Sequence, residues 1–131
     1  MIEDDVDSRI KAFHKARRTN DLNCCLECFE KDTVFTLVDA GQRGATLNIP
    51  GGNEDIRSVV SEFLRLWCWE DVTYQRAVTN GNEAFVWYTL SAIYRPSNTP
   101  VTTEIVDYIK FNEEGKAVEF TEFVNTAAIE A

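Results

Sequence analysis

Two carboxylates in the C-terminal third of the chain stand where carboxylates are costly. From Val101 to Phe111 one parity of an alternating stretch reads Val101, Thr103, Ile105, Asp107, Ile109, Phe111, so Asp107 interrupts the more apolar face of a strand. In the next stretch Val118, Phe120, Glu122 and Val124 share a face that Glu122 alone makes acidic. A carboxylate turned toward a core has to be paired, hydrogen-bonded or protonated. If both face one pocket, desolvation and mutual repulsion raise at least one pKa toward neutrality, as proton transfer at physiological pH requires. The same pattern also fits carboxylates that merely hold backbone amides or a buried water. Asp39, in parity with Phe35 and Leu37, repeats it less clearly.

Other chemical groupings are thinner. Cys25-x-x-Cys28 has redox or zinc spacing, but Cys25 falls mid-helix on an apolar stripe with Leu22, Leu26 and Phe29, where a thiol behaves as a small hydrophobe. Zinc needs two further ligands, and among soft donors only His14 and Cys68 remain. His14, beside Phe13 and between Lys11 and Lys15, reads as a wet or boundary position on the first helix. Trp67-Cys68-Trp69 reads as aromatic core or pocket rim at the end of the third helix. The chain has no G-x-S-x-G, no glycine-rich phosphate loop and no H-E-x-x-H, so no metal or cofactor is expected.

The elements that must position these groups follow from periodicity. Asp4 or Asp5 caps a helix to Arg18 carrying Val6, Ile10 and Phe13, with Arg17 and Arg18 suited to its C-terminus. Asp21 opens a short second helix. Thr33–Val38 reads as a strand, and residues 41–52 as loop with an extended piece near Leu47. Ile56, Val59, Val60, Phe63, Leu64 and Trp67 repeat at helical period, predicting a helix over 54–67. Four strands then follow in consecutive hairpins, 72–79, 83–95, 101–112 and 116–124, an antiparallel sheet in an α+β domain spanning 1–131. From Phe85 to Tyr94 both parities are apolar, so both faces of that strand require cover. The helices supply one cover, and a second copy of the chain most simply the other; a fully buried central strand in a monomer fits the same pattern.

Composition narrows the partners. Thirteen Lys and Arg against 22 Asp and Glu leave a net charge of −9 and a pI near 4.5, which disfavours nucleic acid and anionic membranes. No apolar run reaches the roughly 20 residues of a membrane span, and Met1-Ile2-Glu3-Asp4-Asp5 lacks a basic signal-peptide start, so the protein is read as cytoplasmic with reduced thiols.

The order of elements, with the closing stretch from Ile105 to Ala127 and its Gly115-Lys116-Ala117-Val118-Glu119-Phe120 pattern, resembles the NTF2-like superfamily, and within it SnoaL-like and ketosteroid isomerase-related proteins. The resemblance implies a cone: a strongly curved antiparallel sheet wrapped around N-terminal helices, a small-molecule pocket at its open end, and commonly a dimer through the outer sheet face. It places Asp107 where ketosteroid isomerases carry the acid that donates to the substrate oxyanion, and Glu122 at a pocket-facing position of the last strand. Phe13 stands where those enzymes have a tyrosine and Leu37 where they have the basic aspartate, with Asp39 two residues on, so steroid isomerisation is not implied. Asn125 stands where many relatives carry an aspartate. The functional expectation is an apolar pocket for a small organic molecule. Asp107 and Glu122 are its acid–base candidates, for isomerisation, cyclisation or hydration. Phe13, Asp39, Phe63, Trp67, Ile105, Phe120 and Asn125 are candidate binding residues. The competing expectation is a non-catalytic binding or scaffold protein.

Overall fold

The computed structural model describes residues 3–39, 46–49 and 53–124, with side chains over 6–38 and 56–124. Asn125 and the side chain of Asp39 fall outside that range.

The first helix, α1 (Glu3–Arg18), buries Val6, Ile10 and Phe13 on one stripe. The short α2 (Leu22–Glu27) starts where Asp21 accepts the amide of Cys24 at 3.1 Å, which satisfies one of the free donors of its first turn. The third helix, α3 (Asn53–Leu66), inserts Ile56, Val60 and Leu64 into the core. It ends one residue before Trp67, which opens a strand. The apolar period of α3 and the alternation of the strand overlap at that residue, which is why the sequence placed it in the helix.

Six strands form one mixed sheet in the order β2-β1-β6-β5-β4-β3, giving an α+β fold. They are β1 (Phe29–Asp39), β2 (Thr46–Ile49), β3 (Trp67–Asn80), β4 (Glu83–Tyr94), β5 (Thr99–Phe111) and β6 (Ala117–Val124). From β3 to β6 the sheet is the expected antiparallel meander, turned at β3–β4 by Gly81 with a φ of +61°. Two departures come from β1. It begins at Phe29, four residues before the expected Thr33, because backbone pairing with Ala117 overrides the weak strand preference of Glu30-Lys31-Asp32. It also lies parallel to β6, so the sheet is mixed; the long stretch between them supplies the crossover a parallel pair needs. Bulges in β3 between Trp69 and Asp71 and between Tyr74 and Arg76 bend the long strands of a curved, unclosed sheet.

The inner face carries the core. Along β4, Ala84, Val86, Tyr88, Leu90 and Ala92 are buried, while the opposite parity leaves Phe85 51% and Trp87 43% exposed. On the inner face Phe120 gathers the rings of Phe13, Phe29 and Phe35 at centroid separations of 5.4, 5.7 and 5.5 Å. This aromatic layer joins α1 to β1 and β6. The next residue pair along β5 and β6 is Asp107 opposite Glu122.

Candidate functional site

Successive pairs across β5 and β6 stack as layers of the interior. Phe111 faces Ala117, Ile109 faces Phe120, Asp107 faces Glu122, and Ile105 faces Val124. The two carboxyls are therefore direct neighbours, walled by apolar pairs on either side, with Val86 of β4 and Leu37 of β1 completing the row. Asp107 is wholly buried and Glu122 is 6% exposed. Removal from water pushes both upward, Asp107 to about 7 and Glu122 to about 8; the negative charge of Asp107 adds to the rise at Glu122, and Arg17 opposes it at both. Because the two interact, the protons belong to the pair.

Asp107 is held by one oxygen. Tyr88 of β4, fully buried, donates its hydroxyl to Oδ2 at 2.8 Å. His14 of α1 brings Nε2 to the same oxygen at 3.4 Å, a long contact, and its Nδ1 lies 2.7 Å from the hydroxyl of Tyr74. Oδ1 is buried with no hydrogen-bond partner among the described residues, and no described residue hydrogen-bonds Glu122. The pair thus keeps one oriented oxygen and one unengaged carboxyl.

His14 corrects the boundary reading. It is completely buried among Trp69, Tyr74 and Tyr88, with the Tyr88 ring centroid 4.5 Å away. Burial first, then the charges of Arg17 and Arg18, lowers its pKa to about 3, so it stands neutral beside Asp107 and the contact is not an ion pair. A neutral imidazole can pass hydrogen-bond polarity either way. With Asp107 ionised, Tyr74 donates to Nδ1 and Nε2–H donates to Oδ2; with Oδ2 protonated the chain reverses.

Arg17 lies in the last turn of α1, as its place in the sequence implies, and turns inward. It is 5% exposed, with Cζ 4.1 Å from the ring centroid of Trp69 and 5.4 Å from that of Phe63. A sequence signal for it existed: Val6, Ile10, Phe13 and Arg17 continue one inward stripe, and His14 lies four residues after Ile10. Tyr88, likewise, shares the buried parity of Val86 and Leu90.

The remaining candidates divide. Ile105 adjoins the carboxyl layer and is buried, and Phe63 packs on Phe35 and Arg17. Trp67 instead packs on Tyr94 at 4.8 Å, while its neighbour Trp69 reaches His14 and Arg17. Phe13 and Phe120 line a cleft of about 450 Å³ between α1, α2 and the β5–β6 turn, together with Cys28, Phe29, Ile109 and Phe111. Neither carboxyl lines that cleft; the Ile109–Phe120 pair stands between it and them.

The thiols carry no chemistry of this kind. Burial pushes Cys25 up to about 12 and Cys28 to about 11, so both stay protonated, and Cys24 donates its thiol to Asp21 at 3.1 Å. No three His, Cys, Asp or Glu side chains among the described residues group as metal ligands. None of the described helices is long and apolar enough to cross a membrane.

The profile of the SnoaL-like domain matches residues 10–120. Solved structures share the fold. A Bacillus subtilis protein provisionally named an isomerase aligns over 99% of this chain and 96% of its own, at 14% identity and a TM-score of 0.84. An LEH-like epoxide hydrolase of M. tuberculosis aligns over 96% of this chain and 86% of its own, at 13% identity and a TM-score of 0.72. A Burkholderia xenovorans NTF-2 like protein of unknown function aligns over 94% and 84%, at 16% identity and 0.68. No protein of curated function matches in sequence.

The titrations fix a pH dependence. Folded Asp107 and Glu122 hold protons that their unfolded counterparts, near 3.8 and 4.5, have released, so their contribution is full at acid pH and is lost as pH rises through about 7 and 8. His14 acts in the opposite sense, but only between about 3 and 6.5. Above that only the carboxyl pair acts, and denaturant melts should lose on the order of 2 kcal/mol between about pH 6.5 and 8. Asp107→Asn should remove about half of that slope or more. A wild-type protein equally stable at both pH values, or a variant with the full slope, would contradict the assignment.

Proposed function

The chain belongs to the SnoaL-like domain family, and on that premise we propose that it binds a small organic molecule against Asp107 and Glu122 and moves a proton on it. The observation that carries this reading is the direct opposition of two buried carboxyls that share their protons near neutrality. With one proton between them, the pair offers a donor and an acceptor at once. Asp107 is the oriented member: Tyr88 and His14 occupy Oδ2, which leaves Oδ1 to take a proton from carbon. Glu122, which keeps its proton to the higher pH and has no fixed partner, is the group placed to donate to a carbonyl or hydroxyl oxygen. Isomerisation and aldol-type cyclisation both begin with that abstraction from carbon.

A second reading has its own support. The cleft lined by Phe13 and Phe120 reaches neither carboxyl, which fits a protein that holds a ligand without reacting with it. Deuterium uptake separates the two. A panel of cyclic ketones incubated in D2O near pH 7 and followed by proton NMR should exchange α-hydrogens faster with the protein than with buffer. Asp107→Asn and Glu122→Gln should each reduce that excess at least about a hundredfold, the usual weight of a positioned acid or base. Exchange that no member of the panel gains, or that survives in both variants, would leave the binding reading.

A homodimer through the outer sheet face belongs to the same reading. Phe85 faces Tyr108, Trp87 faces Val106 and Val106 faces Phe123, so the exposed apolar residues of β4, β5 and β6 adjoin, with Val78 of β3 beside Phe85. A contiguous apolar patch of this kind is a common site of association. Light scattering at micromolar concentration should give about twice the 14.9 kDa chain mass, and a monomer would refute the dimer.

A further inference from the structure

Arg17 is a cation on the inner face to which no described residue gives a hydrogen bond or an ion pair. Its Nε is buried without a partner, although the side chain is only 5% exposed. Its Cζ lies over the rings of Trp69 and Phe63, 4.1 and 5.4 Å from their centroids. Aromatic contact of this sort does not offset the desolvation of a buried charge. Nor does an aromatic ring offer an acceptor to the guanidinium N–H donors, which can hold a carboxylate by two parallel bonds. Two more buried polar atoms on the same inner face, Asp107 Oδ1 and Thr103 Oγ1, lack partners too.

The position of this guanidinium is fixed relative to the carboxyl pair. Arg17 follows His14 by three residues on α1, about one turn, and His14 touches Asp107. Trp69 packs against both, its ring centroid 5.6 Å from that of His14. An anion at Arg17 therefore lies on the same wall of the interior as the proton-bearing groups.

We propose that Arg17 anchors a carboxylate of the ligand, so that the molecule accepted beside Asp107 and Glu122 is a small organic acid anion. The assignment rests on the inner face being the ligand site, and it adds the substrate class. The protein as a whole carries −9 and repels anions, so an anion preference here has to come from a local group.

Benzoate and benzamide, equal in shape and different in charge, test it by calorimetric titration of the full chain near pH 6.5. Wild type should bind benzoate at least about tenfold tighter than benzamide, the ratio expected for a charge-assisted pair. Arg17→Gln should erase the preference while benzamide binding stays within about twofold, and Arg17→Lys should keep part of it. Equal binding of the two probes by wild type, or a preference retained in Arg17→Gln, overturns the anchor. If Arg17→Gln does not fold, the wild-type ratio and the Arg17→Lys ratio decide. Should benzamide bind with no benzoate preference and lose affinity in Asp107→Asn, the anchor fails and the inner-face site stands; should neither probe bind, both fail.

Discussion

Two carboxyl groups placed opposite one another, inside a sheet that excludes water, constrain most of what surrounds them. Asp107 and Glu122 cannot both be ionised there without strong repulsion, and neither can be solvated, so the interior has to supply donors, a proton or a cation. Each surrounding element answers part of that demand. Strand β4 brings the Tyr88 hydroxyl, α1 brings a neutral His14 and a charged Arg17, and the Ile109–Phe120 pair seals one side. The neutrality of His14 is itself a result of the arrangement, since burial and two neighbouring arginines remove its proton.

Much of this was legible in the sequence, and the misses have physical causes. Strand alternation put Asp107 and Glu122 on apolar faces because the pleat has a strict period of two, and the register pairs them directly. Helical stripes located α1 and α3 to within two residues. His14 was misplaced because its lysine neighbours at 11 and 15 were weighed above its four-residue step from Ile10, and long basic side chains can lie beside a buried face. Arg17 was assigned to the helix dipole, although it also continues the Val6, Ile10, Phe13 stripe. Trp69, not Trp67, reaches the site: two residues further along β3 it lies under Arg17 and beside His14, while Trp67 packs on Tyr94. The parallel pairing of β1 with β6 joins residues about 85 positions apart and leaves no local trace.

The fold is shared with proteins at 13–14% identity, a likeness that speaks for architecture and not for chemistry. One layer of this chain gathers an acid held at one oxygen, a second acid without a hydrogen-bonding partner, and a guanidinium beside aromatic rings. The adjoining cleft is shaped by the aromatic layer beneath. The Ile109–Phe120 pair, which borders both, is the partition between a cleft of ordinary apolar character and a pair of carboxyls with displaced protons.

Isotope-edited infrared spectroscopy reads those protons directly, because a protonated carboxyl and a carboxylate absorb in separate bands. With aspartate and glutamate labelled in turn, wild type near pH 6.5 should show one buried protonated Asp and one buried protonated Glu signal, fading as the pH rises through about 7 and about 8. The Asp signal should be absent in Asp107→Asn. Carboxyls fully ionised by about pH 5, as for groups in water, would contradict the account at its centre.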